Sequence, residues 1–152
     1  MAVKHAIAYK EMISKIQSHQ EFCNSGGVVG NEMSVIADLI VEDVDFLNLN
    51  LLNLNVCNSS FINCKFISCD MSYGNFDSVT IENCIFDNVF LTKSEFFECK
   101  IINSRFFNSN LIRTVFMESS LDDGVFESSD LRAVDFDDCE VKKIRYNNCR
   151  RS

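Results

Sequence analysis

The sequence predicts an all-β solenoid, a chain that turns a corner every five residues and winds into a four-sided tube. Three observations carry this. From Ile36 to Tyr146 every fifth residue is apolar, 23 positions without a break. That period suits neither a helix face (about 3.6) nor a flat strand (about 2). The flanking residues repeat as well. Two positions before each centre the side chains are small from Ser59 onward (Cys64, Cys69, Gly74, Cys84, Ser94). Two positions after it stand turn-formers (Asn48, Asn53, Asn58, Asn63, Ser68), which tolerate turn dihedrals and bond their own backbone. Sorted by a period of twenty, the centres fall into four columns. Two are phenylalanine: Phe46, Phe66, Phe86, Phe106 and Phe126, ending in Tyr146; and Phe76, Phe96, Phe116 and Phe136, beginning at Val56. Between them run two largely aliphatic columns: Leu51, Met71, Leu91, Leu111 and Leu131; and Phe61, Ile81, Ile101, Leu121 and Val141. Walls that alternate in this way fill a narrow tube at native density.

The elements follow in chain order. Ala6, Tyr9, Ile13 and Ile16 recur at three and four, the spacing of an amphipathic helix over about residues 4–22. Ser25-Gly26-Gly27 ends it, and Gly30 marks a second turn. A solenoid's end exposes core and strand edges, so the helix is expected to cap it: residues 1–33 as helix and linker, 34–149 as solenoid, 150–152 as tail. Nearly six coils of twenty residues fit this body, a rod about 25–30 Å long at the ~4.8 Å spacing of strands. Two frames compete at its start, with either Leu49 and Leu54 or Leu51 and Val56 as centres. The second runs on unbroken; it leaves Leu47 and Leu52 facing outward, where the helix would cover them. No comparable cap follows the last coil. Lys142, Lys143, Arg145, Arg150 and Arg151 either blunt that edge or leave it to pair with a second copy, giving a homodimer through the C-terminal coil.

Each unit thus reads small, polar, large apolar, variable, turn-former, as in Cys64-Lys65-Phe66, Ser109-Asn110-Leu111, Ser129-Asp130-Leu131 and Val134-Asp135-Phe136, with a literal Ala37-Asp38-Leu39. In these units the chain resembles the pentapeptide-repeat family, over residues 34–149. The resemblance implies a right-handed quadrilateral β-helix, four units to a coil, with the centre and the small residue both pointing inward. Some members also carry a leading helix with a His, then an aromatic, then glycines; His19, Phe22 and Gly26-Gly27 match that order.

Composition bounds the chemistry. The eight cysteines form no C-x-x-C, and six (Cys64, Cys69, Cys84, Cys99, Cys139, Cys149) occupy the small inward slot, so they are read as free space-filling thiols and not as zinc ligands or disulfides. His5 and His19 both lie on the helix, leaving none in the repeat body for a nucleophilic triad or dyad. Carboxylate pairs such as Asp122-Asp123 and Asp137-Asp138 sit on solvent-facing corners with nothing to raise a pKa. A filled core leaves no ligand cavity. The expectation is therefore no enzyme, no cofactor and no metal. No stretch approaches the ~18 apolar residues of a membrane span, and the N-terminus is too charged for a secretory signal, so a cytoplasmic protein is expected.

Function then falls to the outer surface. Residues 118–140 hold nine acids against Arg132 alone, while the whole chain carries −8, which argues against a nucleic-acid binder. Phe97 and Met117 stack outward on one face, while Phe107 and Ile112 lie on neighbouring faces; Phe97, Met117 and Phe107, with Asp122, Asp123, Glu127, Asp137 and Asp138, make up the candidate interaction surface. Asn63-Asn83-Asn103 and Asn88-Asn108 read as stabilising side-chain ladders. The expected function is a non-catalytic protein-binding rod in a bacterial cytoplasm. The alternative, which the family resemblance implies, is a DNA-mimic regulator or protector of DNA gyrase, a topoisomerase. Against mimicry, the column Asp77, Phe97, Met117, Asp137 is no carboxylate ladder.

Overall fold

The computed structural model describes residues 2–30 and 35–152, with side chains from residue 10 onward. The boundary expected at 33/34 falls among residues 31–34, outside the described residues, as do the side chains of His5, Ala6 and Tyr9.

One backbone position bends every unit. The residue two places after each centre, from Asp38 to Asn148, takes φ between 46° and 59°, giving 23 left-handed corners. Nine are Asn and four are Asp, whose short polar side chains enter this region at the lowest cost after glycine, and none is glycine. Between corners the chain is extended for three residues, and the coils pair in parallel with a register of twenty. The first face contains Ile36–Ala37, Asn55–Cys57, Asn75–Asp77, Glu95–Phe97, Val115–Met117 and Asp135–Asp137. The second contains Ile40–Glu42, Ser60–Ile62, Thr80–Glu82, Lys100–Ile102, Ser120–Asp122 and Glu140–Lys142. The third contains Asp45–Leu47, Lys65–Ile67, Ile85–Asp87, Arg105–Phe107, Val125–Glu127 and Arg145–Asn147. On the fourth, pairing shrinks to single bridges, Asn50 to Asp70, Phe90, Asn110, Asp130 and Arg150 in turn. There a β-turn closes immediately after the centre: Ser94 N–H donates to Leu91 O at 3.0 Å and Thr114 N–H to Leu111 O at 3.0 Å. The molecule is a parallel β-solenoid of about six coils with one N-terminal helix.

The centres form the core. The two phenylalanine columns lie on the first and third faces and oppose each other across the tube. Coil spacing forces their rings into parallel stacks, as in Phe76–Phe96 at 4.5 Å and 6° and Phe86–Phe106 at 4.5 Å and 7°. The small slot does more than fill space. Ser94 Oγ donates to Met71 O at 2.8 Å and accepts from Gly74 N–H at 3.2 Å. Thr114 Oγ1 donates to Leu91 O at 2.7 Å, and the thiols of Cys84 and Cys99 donate to Phe61 O and Phe76 O. The slot side chain thus bonds the carbonyl of a centre in the neighbouring coil; Leu91 O, which also receives Ser94 N–H, accepts two hydrogen bonds in this way.

At the start of the solenoid both competing sets of leucines point inward. Val56 pairs with Ile36 and Phe76, so Leu51 and Val56 are centres, while Leu54 fills the slot position and is 2% exposed. Leu47 is exposed, at 51%.

The helix, Ala2–Asn24, ends as Gly26 and Gly27 turn left-handed (φ 66° and 88°) and Gly27 N–H bonds Phe22 O at 2.8 Å. Among its described side chains, Met12, Ile16 and His19, spaced i, i+4, i+7, are buried. Burying Met12 and Ile16 contributes about 1.5–3 kcal/mol each. His19 is 0% exposed and donates from Nε2 to Leu52 O at 2.7 Å, fastening the helix to the solenoid, and Asn50 Nδ2 donates to Asn24 Oδ1 at 3.0 Å. Gly30 (φ 82°) lets the returning chain touch the helix: a Cβ there would lie 2.2 Å from Ser18 O.

Candidate interaction surface

Along each strand the centre faces in and its two neighbours face out, so the outer surface is a grid read by face and by coil. The eight candidate residues divide among three faces. Phe97, Met117 and Asp137 occupy one column of the first face in consecutive coils, with Phe97 in register with Asp77 and Met117. Asp138 stands at the corner beside them. Asp122 lies on the second face, paired in register with Ile102 and Lys142, and Asp123 on its corner. Phe107 and Glu127 are neighbours on the third face. The acids of 118–140 are therefore a cluster in sequence but not in space: they reach all four faces, and Asp130 on the fourth is engaged by Arg132 at 2.7 Å. The Arg132 guanidinium holds the Asp130 carboxyl below its ordinary pKa.

Sorting the outer positions by face shows a segregation of charge that linear order conceals. The outer positions and following corner of the first face carry Asp38, Asp77, Glu95, Glu98, Glu118, Asp135, Asp137 and Asp138, all exposed, and no Lys or Arg. The corresponding positions hold six acids and three bases on the second face, three of each on the third, and two acids with four bases on the fourth. The first face alone thus carries as much charge as the whole chain, −8. At its middle lie Phe97, Met117 and Val115, each half-buried. Sequence reasoning passed over Glu95, Glu98 and Val115; the period of twenty that sorted the core would have found them if applied to the outer positions.

The other surface features are dispersed. Phe90, 46% exposed, sits on the fourth face between Asp70 and Asn110, remote from Phe97. The Asn63, Asn83, Asn103 ladder forms, with Asn83 Nδ2 donating to Asn63 Oδ1 at 3.2 Å and Asn103 Nδ2 to Asn83 Oδ1 at 2.7 Å. The expected Asn88–Asn108 rung does not. Asn88 Nδ2 donates to Ser68 Oγ at 3.1 Å, and Asn108 Nδ2 turns to Asp87 Oδ1 at 3.2 Å.

Burial raises the thiol of Cys99 to about 11 and that of Cys69 in the same direction. Among the described residues no group of three or more His, Cys, Asp or Glu is placed to hold a metal, and no helix is long and apolar enough to cross a membrane.

Residues 79–151 match the family profile described as pentapeptide repeat region. No curated protein sequence matches significantly. Among solved structures, the chain is similar to the pentapeptide repeat protein Rfr23 of the cyanobacterium Cyanothece 51142, with 13% identity, TM-score 0.58, and 78% of this chain and 91% of that one covered. At this identity the likeness is one of fold. A trypsin-treated form of QnrB1, a plasmid-mediated fluoroquinolone resistance protein, aligns at 16% identity and TM-score 0.35 over 73% of this chain and 84% of that one.

Proposed function

We propose that the chain, whose residues 79–151 match the pentapeptide-repeat profile and whose interior is occupied by its own stacked side chains, works through its outer surface, as a non-catalytic rod that binds another protein. The observation that carries this reading is the first face, where Phe97 and Met117 lie side by side in register at the middle of the grid. An apolar pair held on a rigid sheet is already ordered and loses little conformational entropy on docking. On this reading the rod acts in the bacterial cytoplasm, where a reducing environment keeps its slot cysteines as hydrogen-bonding thiols. The test replaces both apolar residues at once, Phe97→Asp with Met117→Lys, and compares partners captured by the two proteins. Unchanged capture removes the surface from consideration.

In the same proposal a second copy pairs at the last coil, where Val141 is 41% exposed. Val141→Asp then leaves a monomer in sedimentation velocity; a wild-type monomer eliminates this component.

The second reading, a duplex mimic directed at gyrase, draws support from the eight carboxylates of the first face. It is tested by titrating the protein into a supercoiling assay with and without a quinolone. Absence of both inhibition and protection at about tens of micromolar, a range that covers weak specific complexes, counts against it.

A further inference from the structure

We propose that the first face binds a basic polypeptide segment carrying one large apolar side chain, an inference that rests on the protein-binding reading and names the chemistry of its partner. The apolar centre is Phe97, Met117 and Val115. Around it stand Asp77 and Asp137 at either end of the Phe97–Met117 column, Glu95 and Asp135 at either end of the Val115 column, and Glu98, Glu118 and Asp138 on the corner. Adjacent coils are about 4.8 Å apart and alternate residues of a strand about 7 Å, so every carboxylate lies within a side chain's length of the centre. An apolar middle with a charged rim is the arrangement of a protein interface. A rim of a single sign fixes the sign of what it receives.

These carboxylates are not engaged by the protein's own cations. Lys93 and Arg113 stand at the corner preceding the face and Lys100 just beyond it, yet the two ion pairs among the described residues are Asp130–Arg132 and Glu140–Lys142. Lys93 lies over the Tyr73 ring instead, 5.5 Å from its centroid. Asp77 accepts one hydrogen bond, from Ser78 Oγ at 2.8 Å, and is exposed. The unpaired charge is therefore available to a ligand. The face also differs from a phosphate backbone, because its middle column interrupts the acids with two apolar residues. A chain of alternating lysine or arginine with one leucine or phenylalanine complements both features; a uniform polycation complements only one.

The experiment titrates the full chain into a labelled short peptide of lysines and arginines with one central leucine, and into the same peptide with alanine at the centre. The leucine peptide is expected to bind in the micromolar range and to weaken about tenfold when salt rises from about 50 to about 300 mM. The triple variant Asp135→Asn, Asp137→Asn, Asp138→Asn should lose about tenfold for both peptides, whereas Met117→Ser should lose severalfold for the leucine peptide and nothing for the alanine one. The pair Asp87→Asn, Glu127→Gln on the third face should leave affinity unchanged. Equal affinity for the two peptides, or equal loss from the third-face pair, overturns the inference. So does an absence of peptide binding; if charge substitution at Phe97 and Met117 still abolishes capture of partners, the interaction rod survives that result and only the basic chemistry falls.

Discussion

At the scale of single residues, the fold depends on positions that a hydrophobicity pattern does not weigh equally. All 23 corners are left-handed, but only some hold the Asn or Asp that suits them; Ala133, at φ 55°, has neither a polar side chain nor glycine's freedom. Ala133→Asn is expected to stabilise the protein by about 0.5–1 kcal/mol in denaturant unfolding, with no change in secondary structure. The corners were legible from Asn48, Asn53 and Asn58, but not at Lys93, Glu98 or Arg113, where the geometry is imposed by the neighbouring coils. The slot cysteines were read as filler because a thiol resembles an alkyl group in size. Their bonds to carbonyls such as Phe61 O and Phe76 O emerge only once the coils are stacked. Cys99 makes a pH prediction. Its thiol is held at about 11 against an ordinary 9.0, so between those values the unfolded chain loses this proton while the folded one keeps it. Stability is therefore fully present below pH 9 and falls as pH rises to about 11. Cys99→Ser should flatten that part of the curve, and an unaltered slope in unfolding titrations at successive pH values refutes the assignment.

At the scale of elements, a phenylalanine's worth depends on its coil. Phe96 is 1% exposed, with Phe76 and Phe116 stacked on either side, whereas Phe136 stacks on Phe116 and is half-buried. Phe96→Ala is expected to cost about 3–5 kcal/mol, and Phe136→Ala clearly less, in the same denaturation assay. Similar losses would mean that the last coil is covered in solution. Four equal columns in the sequence do not distinguish the three sheets from the fourth face. The leucines there keep the period, and only the i to i+3 hydrogen bond after Leu51, Leu91, Leu111 and Leu131 shows the chain turning early. The helix was legible as a helix, but its docking face was not. His19 interrupts an apolar pattern and so escapes it, although the structure buries it against Leu52 O, and Met12 stands where the stripe of Ile13 and Ile16 drew the eye away.

At the scale of the whole molecule, the cap and the solenoid stand or fall together. Met12 and Ile16 join the core, and His19 fastens the helix to the coil that carries Leu52. Deleting residues 1–24 should lower the melting temperature by about 10 °C or more and promote association, since it removes several kcal/mol of burial and uncovers apolar surface. An unchanged melting temperature in a monomeric protein would show that the helix serves another purpose. Surface function was the least legible property, because a partner meets residues twenty apart while a reader meets residues in line. Thus 118–140 looked like one acidic patch, and the panel that includes Glu95 and Glu98 went unseen. The same periodicity carries an evolutionary meaning. Each coil recognises only the one above and the one below, through a register that repeats every twenty residues. A gene segment duplicated or lost in that unit keeps every corner, stack and slot bond in place and alters the rod's reach by one ~4.8 Å step. Length and surface are therefore free to evolve separately: duplication sets how far the rod extends, and point substitution at outward positions sets what it can touch.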